Sequence, residues 1–377
     1  MSDASQNGTE SRPGRTGVVQ GRGGALDALR FLAALLIVLY HYGQDAPVAL
    51  EGLHPIFSRG YLATDFFLIL SGYVLGRAYG RQVLEGRLRP AAFLGKRIQR
   101  LWPAQLIILA SLAAVVFAAS LIGAQPRHPE NYTPQAFVMQ ALFAQAWGVP
   151  GGGGWNHQSW SLSALVVCYG AFPLAWGWVS RLKSSTALLC LGMLAVIGGD
   201  LLCMGLLGRP IYDLEFHFGL VRALPLFLLG LCIARVVEEA KPSLIVAHAL
   251  GWLAAGTLVM LQIAGRFDLA SIAAIAAIIL ACGRTPVARP SALVEQGAKL
   301  SFALFITHAL TGLGWFGSLH VLEARVALPE AARWALWAGS IPAALVVSIV
   351  FHHWVDAPVQ AWLKRALKSG RREPAAA

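Results

Sequence analysis

The chain has 377 residues, of which 56% are apolar and only 13% charged. A soluble domain of this size needs a larger charged surface, so the composition excludes one and points to a polytopic membrane protein. The formal net charge of +11 invites a nucleic-acid reading, but the Lys and Arg residues fall between apolar runs, where they set membrane topology.

Residues 1–24 form a polar arm holding Arg12, Arg15 and Arg22, read as disordered and cytoplasmic. The apolar segment that follows is long enough to span and lacks an identifiable small-residue cleavage site, so it reads as a retained helix. Runs of about 20 apolar residues are spanning candidates. In chain order they fall near 25–43, 61–79, 101–123, 159–180, 186–207, 218–237, 244–264, 267–283, 299–319 and 333–354. The expected architecture is therefore all-α: about ten transmembrane helices in one domain, 25–365, with a basic tail, 366–377. The connections rich in Lys and Arg alternate with poor ones, and the rich set includes both termini. By the positive-inside rule both termini are expected in the cytoplasm. The longest outer connection, about 124–158, contains an apolar stretch at 133–147 too short to span, expected to lie in the outer interface or re-enter it. The run PGGGGWN at 150–156 reads as a flexible turn. Cys168, Cys190, Cys203, Cys232 and Cys282 all lie in apolar runs without a CxxC or His pairing, as packing residues and not a disulfide framework or metal site.

The first span carries Arg30 and His41. Eleven residues come to within roughly 20° of three full turns, so both side chains project from one stripe, about 16 Å apart along the axis. Ionisable groups at membrane depth are costly and turn toward protein or a water-filled cavity. Two on one stripe imply a polar track, with the other helices as its wall. Asp65 arrives at the depth of His41 from the second span, and a carboxylate beside an imidazole would fix its tautomer and support it as a general base. Trp160 and Arg222 belong to the same outer region. Arg97 and Arg100, in KRIQRLWP at the inner mouth, are either topology signals or forks for phosphate oxygens. His308 falls near mid-membrane, as a helix-to-helix tie or a substrate contact. Ser71 in LSGY is more readily a helix-packing residue than a nucleophile. His54, His128, His157, His217, His320, His352 and His353 read as interfacial. No HExxH, CxxC or Walker pattern is present, so no metal is expected.

Several segments, in order, resemble the acyltransferase-3 family of membrane-bound acyltransferases. LDALRFLAALLIVLYHYG (26–43) resembles its opening helix, with the Arg-x10-His pattern met by Arg30 and His41. TDFFLILSGYVLG (64–76) is similar to DxFFxLSGF/Y, and KRIQRLWP (96–103) to the basic RxxRxxP segment. WSLSALVVCYGAFP (160–173), RALPLFLLG (222–230), SFALFITHAL (301–310) and WVDAPV (354–359) resemble later family segments. Two positions depart: Leu165 stands where the WSLxxE segment has its acid, and Asp356 replaces the terminal Glu.

The resemblance implies transfer of an acyl group, usually acetyl, from cytoplasmic acyl-CoA to a hydroxyl of a carbohydrate or related acceptor, in a bacterial inner membrane. On that basis His41 and Asp65 are expected as the catalytic pair. Arg30, Arg97 and Arg100 are expected to hold acyl-CoA, and Trp160, Arg222 and His308 to meet the acceptor. A transporter or flippase for a polar solute, gated by the same charges, is the alternative from the residues alone, although no repeat or matched broken helices favour it. A catalytically dead scaffold, suggested by Leu165, is a third reading.

Overall fold

A computed structural model describes residues 24–126, 128–239, 243–285 and 291–369. The expected disordered arm and the last residues of the basic tail lie outside these. Among the described residues ten long helices run in sequence: α1 Ala25–Tyr42, α2 Leu62–Leu84, α3 Pro90–Leu121, α4 Trp160–Val179, α5 Ser185–Leu207, α6 Gly219–Glu239, α7 Leu244–Ala264, α8 Asp268–Arg284, α9 Ala292–Glu323 and α10 Glu330–Phe351. They coincide one for one with the ten expected spans. Eight are long and apolar enough to cross a membrane. The other two are α2, diluted by Asp65, Arg77 and Arg81, and α8, which has 17 residues.

The boundaries differ where local chemistry extends a helix past its apolar run. α3 begins eleven residues earlier than the hydropathy suggests because Pro90 occupies its first turn, where a missing N–H costs nothing. The basic KRIQR segment is therefore helical. Ser184, Ser243 and Ser291 start α5, α7 and α9 by accepting backbone N–H bonds from Ala187, Val246 and Val294. After α10 the chain makes a π turn, His352–Asp356, and continues as α11, Ala357–Ser369. The tail expected to begin at 366 is thus helical at its start.

α2 and α6 form the centre, with α4, α5 and α8 packed around them, while α1 pairs with α9 and touches α2. Their crossing is set by Gly72 and Gly230. A Cβ at Gly72 would sit 2.1 Å from the Phe227 carbonyl oxygen, and one at Gly230 would sit 2.0 Å from that of Ile69. The two backbones touch, as small residues permit between membrane helices. LSGY is accordingly a packing motif here.

The outer connection differs from its expectation. Its helix covers only Pro134–Ala141, capped by the Thr133 hydroxyl, and the chain then turns inward and buries Phe143, Gln145 and Ala146. The glycine run is not a free turn. Gln140 Nε2 donates to the carbonyls of Gly152 and Gly154 at 3.0 and 3.1 Å, and Gln140 Oε1 accepts the Asn156 N–H at 2.9 Å. Irregular backbone packed among apolar helices must find partners inside the protein, and glutamine amides supply both donor and acceptor.

Candidate active site

The last turn of α1 carries His41, at the end of the bundle where α1 finishes. Its ring is sandwiched by two other histidines. His308, from the middle of α9, stacks on it with ring centroids 5.2 Å apart and an interplanar angle of 21°. His157, from the turn that opens α4, meets it edge-on at 4.7 Å and 80°, with His157 Nε2 3.4 Å from His41 Nδ1. His308 is 1% exposed. Its Nδ1 lies 2.8 Å from the Phe305 carbonyl oxygen, which accepts, so Nδ1 carries the proton and Nε2 the lone pair. That Nε2 is buried and has no hydrogen-bond partner.

His157 is held by the outer connection. Asn156 Nδ2 donates to Gln105 Oε1 on α3 at 3.1 Å, and Gln158 Nε2 donates to Asn156 Oδ1 and to the Phe305 carbonyl. The Ser159 hydroxyl accepts from Gln105 and Gln145, both at 3.0 Å. Both neighbours of His157 are thereby fixed. Gln158 Oε1, like His308 Nε2, is buried without a partner.

Asp65 does not meet His41. Fully buried on α2, it spends both carboxylate oxygens on Arg222 of α6, at 2.8 and 2.9 Å. Arg222 also donates to the Tyr212 carbonyl, and its guanidinium lies 5.4 Å from the Tyr61 ring and 5.8 Å from that of Trp160. The expected orienting role of Asp65 is therefore corrected: an arginine at bidentate distance outcompetes a neutral imidazole for a buried carboxylate. The Trp160 ring lies beside the guanidinium of this pair. A second buried ion pair continues the cluster. Arg59 contacts Asp268 at 3.0 Å, Gln262 Oε1 at 2.7 Å and Ser271 Oγ at 3.0 Å, and the Tyr61 hydroxyl donates to Asp268.

At the opposite end of the bundle Arg30 is half-buried, 3.6 Å from Asp27. Arg97 lies over the rings of Tyr79 and Phe93 at 4.8 and 5.2 Å. The Tyr169 hydroxyl sits at the Ser71 side chain, within electrostatic reach of both arginines. Arg30, Arg97, Ser71 and Tyr169 thus form a polar region among α1, α2, α3 and α4. Arg100 forms a bidentate pair with Asp356, at 2.7 and 3.0 Å, and packs over Phe302. Its fork is occupied, although the side chain remains 41% exposed. Leu165 is buried core. No group of three or more His, Cys, Asp or Glu residues suited to a metal ion occurs among the described residues.

The inner arginines and the outer histidine follow from helix periodicity. His157 and Gln158 do not. They lie in a turn, outside any periodic segment, and only the adjacent start of α4 hints that they enter at the depth of His41. Tyr169 was likewise indistinguishable from a packing aromatic.

A multi-pass helical bundle with a buried imidazole at one end and arginines at the other defines a membrane acyltransferase when set beside known proteins. The chain belongs to the acyltransferase-3 family, whose acyltransferase domain matches residues 24–353. It is 27% identical over 316 residues to acyltransferase MdmB of Streptomyces mycarofaciens, covering 75% of this chain and 77% of that one. It is 41% identical over 98 residues to "Protein 2 in picA locus" of Rhizobium radiobacter, covering 26% of this chain and 48% of the relative. A third relative, named as the membrane-bound transacylase BcsY of Komagataeibacter xylinus, is 34% identical over 89 residues, 24% of this chain and 19% of its own length. The aligned part is thus under half of two of these relatives. No solved structure matches the chain.

Proposed function

We propose that this acyltransferase moves an acyl group, most simply acetyl, from cytoplasmic acyl-CoA to a hydroxyl of a carbohydrate or related acceptor. His41 is the general base. The observation that carries the reading is the position of the half-buried His41 ring, held between His157 and the buried His308 with unfilled hydrogen-bonding capacity beside it. A neutral imidazole offers a ring-nitrogen lone pair for proton removal from a hydroxyl.

Donor phosphates bind Arg97 and Arg100 at the inner mouth, Arg100 exchanging Asp356 for phosphate, and Arg30 and Tyr169 line the path of the pantetheine arm. The acceptor enters from the outer side, near Trp160 and His308. His41 takes the hydroxyl proton as the oxygen attacks the thioester carbonyl. The C–O bond forms, the C–S bond breaks, and the proton passes to the departing thiolate, leaving an ester and free CoA thiol. Both termini face the cytoplasm in this orientation, as the alternation of basic connections supports. The carbohydrate class of acceptor rests on the family resemblance. Asp65 acts by holding Arg222 and does not touch the reacting atoms.

The test uses radiolabelled acetyl-CoA with membranes carrying the full chain. Transfer of label to membrane or polysaccharide material, or release of CoA thiol, is expected, and His41→Ala abolishes it. Labelled solute crossing the membrane with no thiol released would favour a carrier instead.

A further inference from the structure

We propose that His157 is the positioning residue of His41, taking the place that a carboxylate usually holds beside a catalytic imidazole. The inference rests on His41 as the base and deepens that reading.

Among the described residues the geometry leaves His41 one orienting side chain of the right kind. Asp65 has both oxygens on Arg222. His308 stacks nearly parallel to the His41 ring, and its Nδ1 proton goes to Phe305, so it offers no in-plane partner. His157 stands edge-on, with Nε2 facing His41 Nδ1. Two lone pairs or two N–H groups facing one another would repel, so one proton lies between the rings. Two arrangements satisfy this. If His157 donates, His41 keeps its other proton on Nε2 and cannot act as a base. If His41 Nδ1–H donates to His157 Nε2, the His41 Nε2 lone pair is free to accept the substrate proton.

The second arrangement improves as the reaction proceeds. When Nε2 accepts the hydroxyl proton, His41 becomes an imidazolium whose Nδ1–H bond to neutral His157 is charge-assisted and stronger. Proton count is conserved, since the same proton leaves from Nε2 to the thiolate. A neutral acceptor does this without adding a second permanent charge at membrane depth, where an unpaired carboxylate is expensive. The partner must also be rigid. Asn156, Gln158 and Ser159 are each tied to α3, α9 or the outer connection, and the His157 ring itself lies 5.8 Å from Phe216.

The experiment compares His157→Phe, His157→Gln and His41→Ala in the full chain, purified and returned to lipid, with acetyl-CoA as the probe. Phe keeps a flat ring against Phe216 but has no acceptor. Gln places an amide oxygen near the Nε2 position. His157→Phe is expected to lower kcat about 100-fold, within the range for loss of acid–base support, with the KM for acetyl-CoA changed less than about twofold. His157→Gln is expected to recover activity to within about tenfold of the parent. The double variant His41→Ala/His157→Phe should be no slower than His41→Ala, because the two residues act as a unit. Parent-level activity in folded His157→Phe overturns the inference, and so does a His157→Gln variant as inactive as His41→Ala. If His157→Phe does not elute as a monodisperse protein, His157→Gln decides alone by the same limits. Retained activity in His41→Ala, by contrast, defeats the base assignment itself, whatever the His157 variants do.

Discussion

Two polar clusters stand near one another at the end of the bundle where α1 finishes, and they are finished to different degrees. The ionic cluster joins Asp65 to Arg222 and Asp268 to Arg59, and a hydroxyl, an amide and a carbonyl accept further N–H groups of its guanidiniums. The histidine cluster contains no carboxylate or guanidinium in the contacts around its rings, with one inter-ring contact of 3.4 Å and two neighbouring buried atoms, His308 Nε2 and Gln158 Oε1, that meet no partner. A satisfied network rigidifies. Unspent donors and acceptors in a buried site are costly unless something else uses them. The contrast fits the proposed division, in which the ionic cluster is architecture and the histidines carry the chemistry.

The largest effect that would break this comparison comes from His41. Its replacement by Ala should lower acetyl transfer by roughly 10²–10⁴-fold while leaving the thermal unfolding of the purified protein near the parent's. Equal damage to stability and to activity would mean that the rings hold helices together and do nothing more.

Arg222→Leu should behave in the opposite way. It strands the fully buried Asp65, a loss of roughly 3–5 kcal/mol for a broken buried pair. The expected signature is loss of folded protein on extraction, with the residual folded fraction still able to release CoA thiol. Asp65→Asn/Arg222→Gln, which removes both charges and keeps hydrogen bonds, should restore much of the yield. Failure of that double variant to fold better than Arg222→Leu would show that the charges themselves, and not their pairing, are required.

How much of this was legible in the sequence depends on whether a residue lies on a periodic element. The ten helices, the shared stripe of Arg30 and His41 and the packing role of Ser71-Gly72 all follow from apolar length and helical geometry. Partner choice did not follow. The expectation that Asp65 meets His41 rests on similar depth alone, and depth fixes only one coordinate; the packing of α2 against α6 delivers Asp65 to Arg222. That packing is set by the Gly72–Gly230 contact between elements far apart in the chain. His157 escaped for another reason: it sits in a turn ordered by Gln105, Gln140 and Gln145, whose amides look unremarkable one at a time in sequence. Hydropathy understates the length of α3 because its first eleven residues are helical without forming an apolar run.

The inner mouth offers the same contrast at smaller scale. Arg97 rests on two aromatic faces, whereas Arg100 has both fork nitrogens on Asp356. If both serve donor phosphates, Arg97→Ala should raise the KM for acetyl-CoA about 10- to 100-fold, the range for one hydrogen bond to a charged group, with kcat nearly unchanged. A fall in kcat at constant KM would place Arg97 in the bundle's structure and not on the donor.

Asp356 gives the finest test, because its two possible roles predict shifts of opposite sign. Arg100 is 41% exposed, so its pair with Asp356 is partly wet and worth no more than about 1 kcal/mol. A donor phosphate arriving there must displace the carboxylate. Asp356→Asn keeps one hydrogen-bond acceptor and removes the competing charge, so the KM for acetyl-CoA should fall by up to about fivefold, the equivalent of that energy. Should Asp356 instead hold the Arg100 fork open toward the donor, the same substitution would let the guanidinium swing onto Phe302, which it already overlies at 4.7 Å. KM would then rise. The π turn that presents Asp356 makes the first outcome the expected one: a bulge between α10 and α11 allows the carboxylate to withdraw without unwinding either helix, whereas a rigid spacer needs no such local slack.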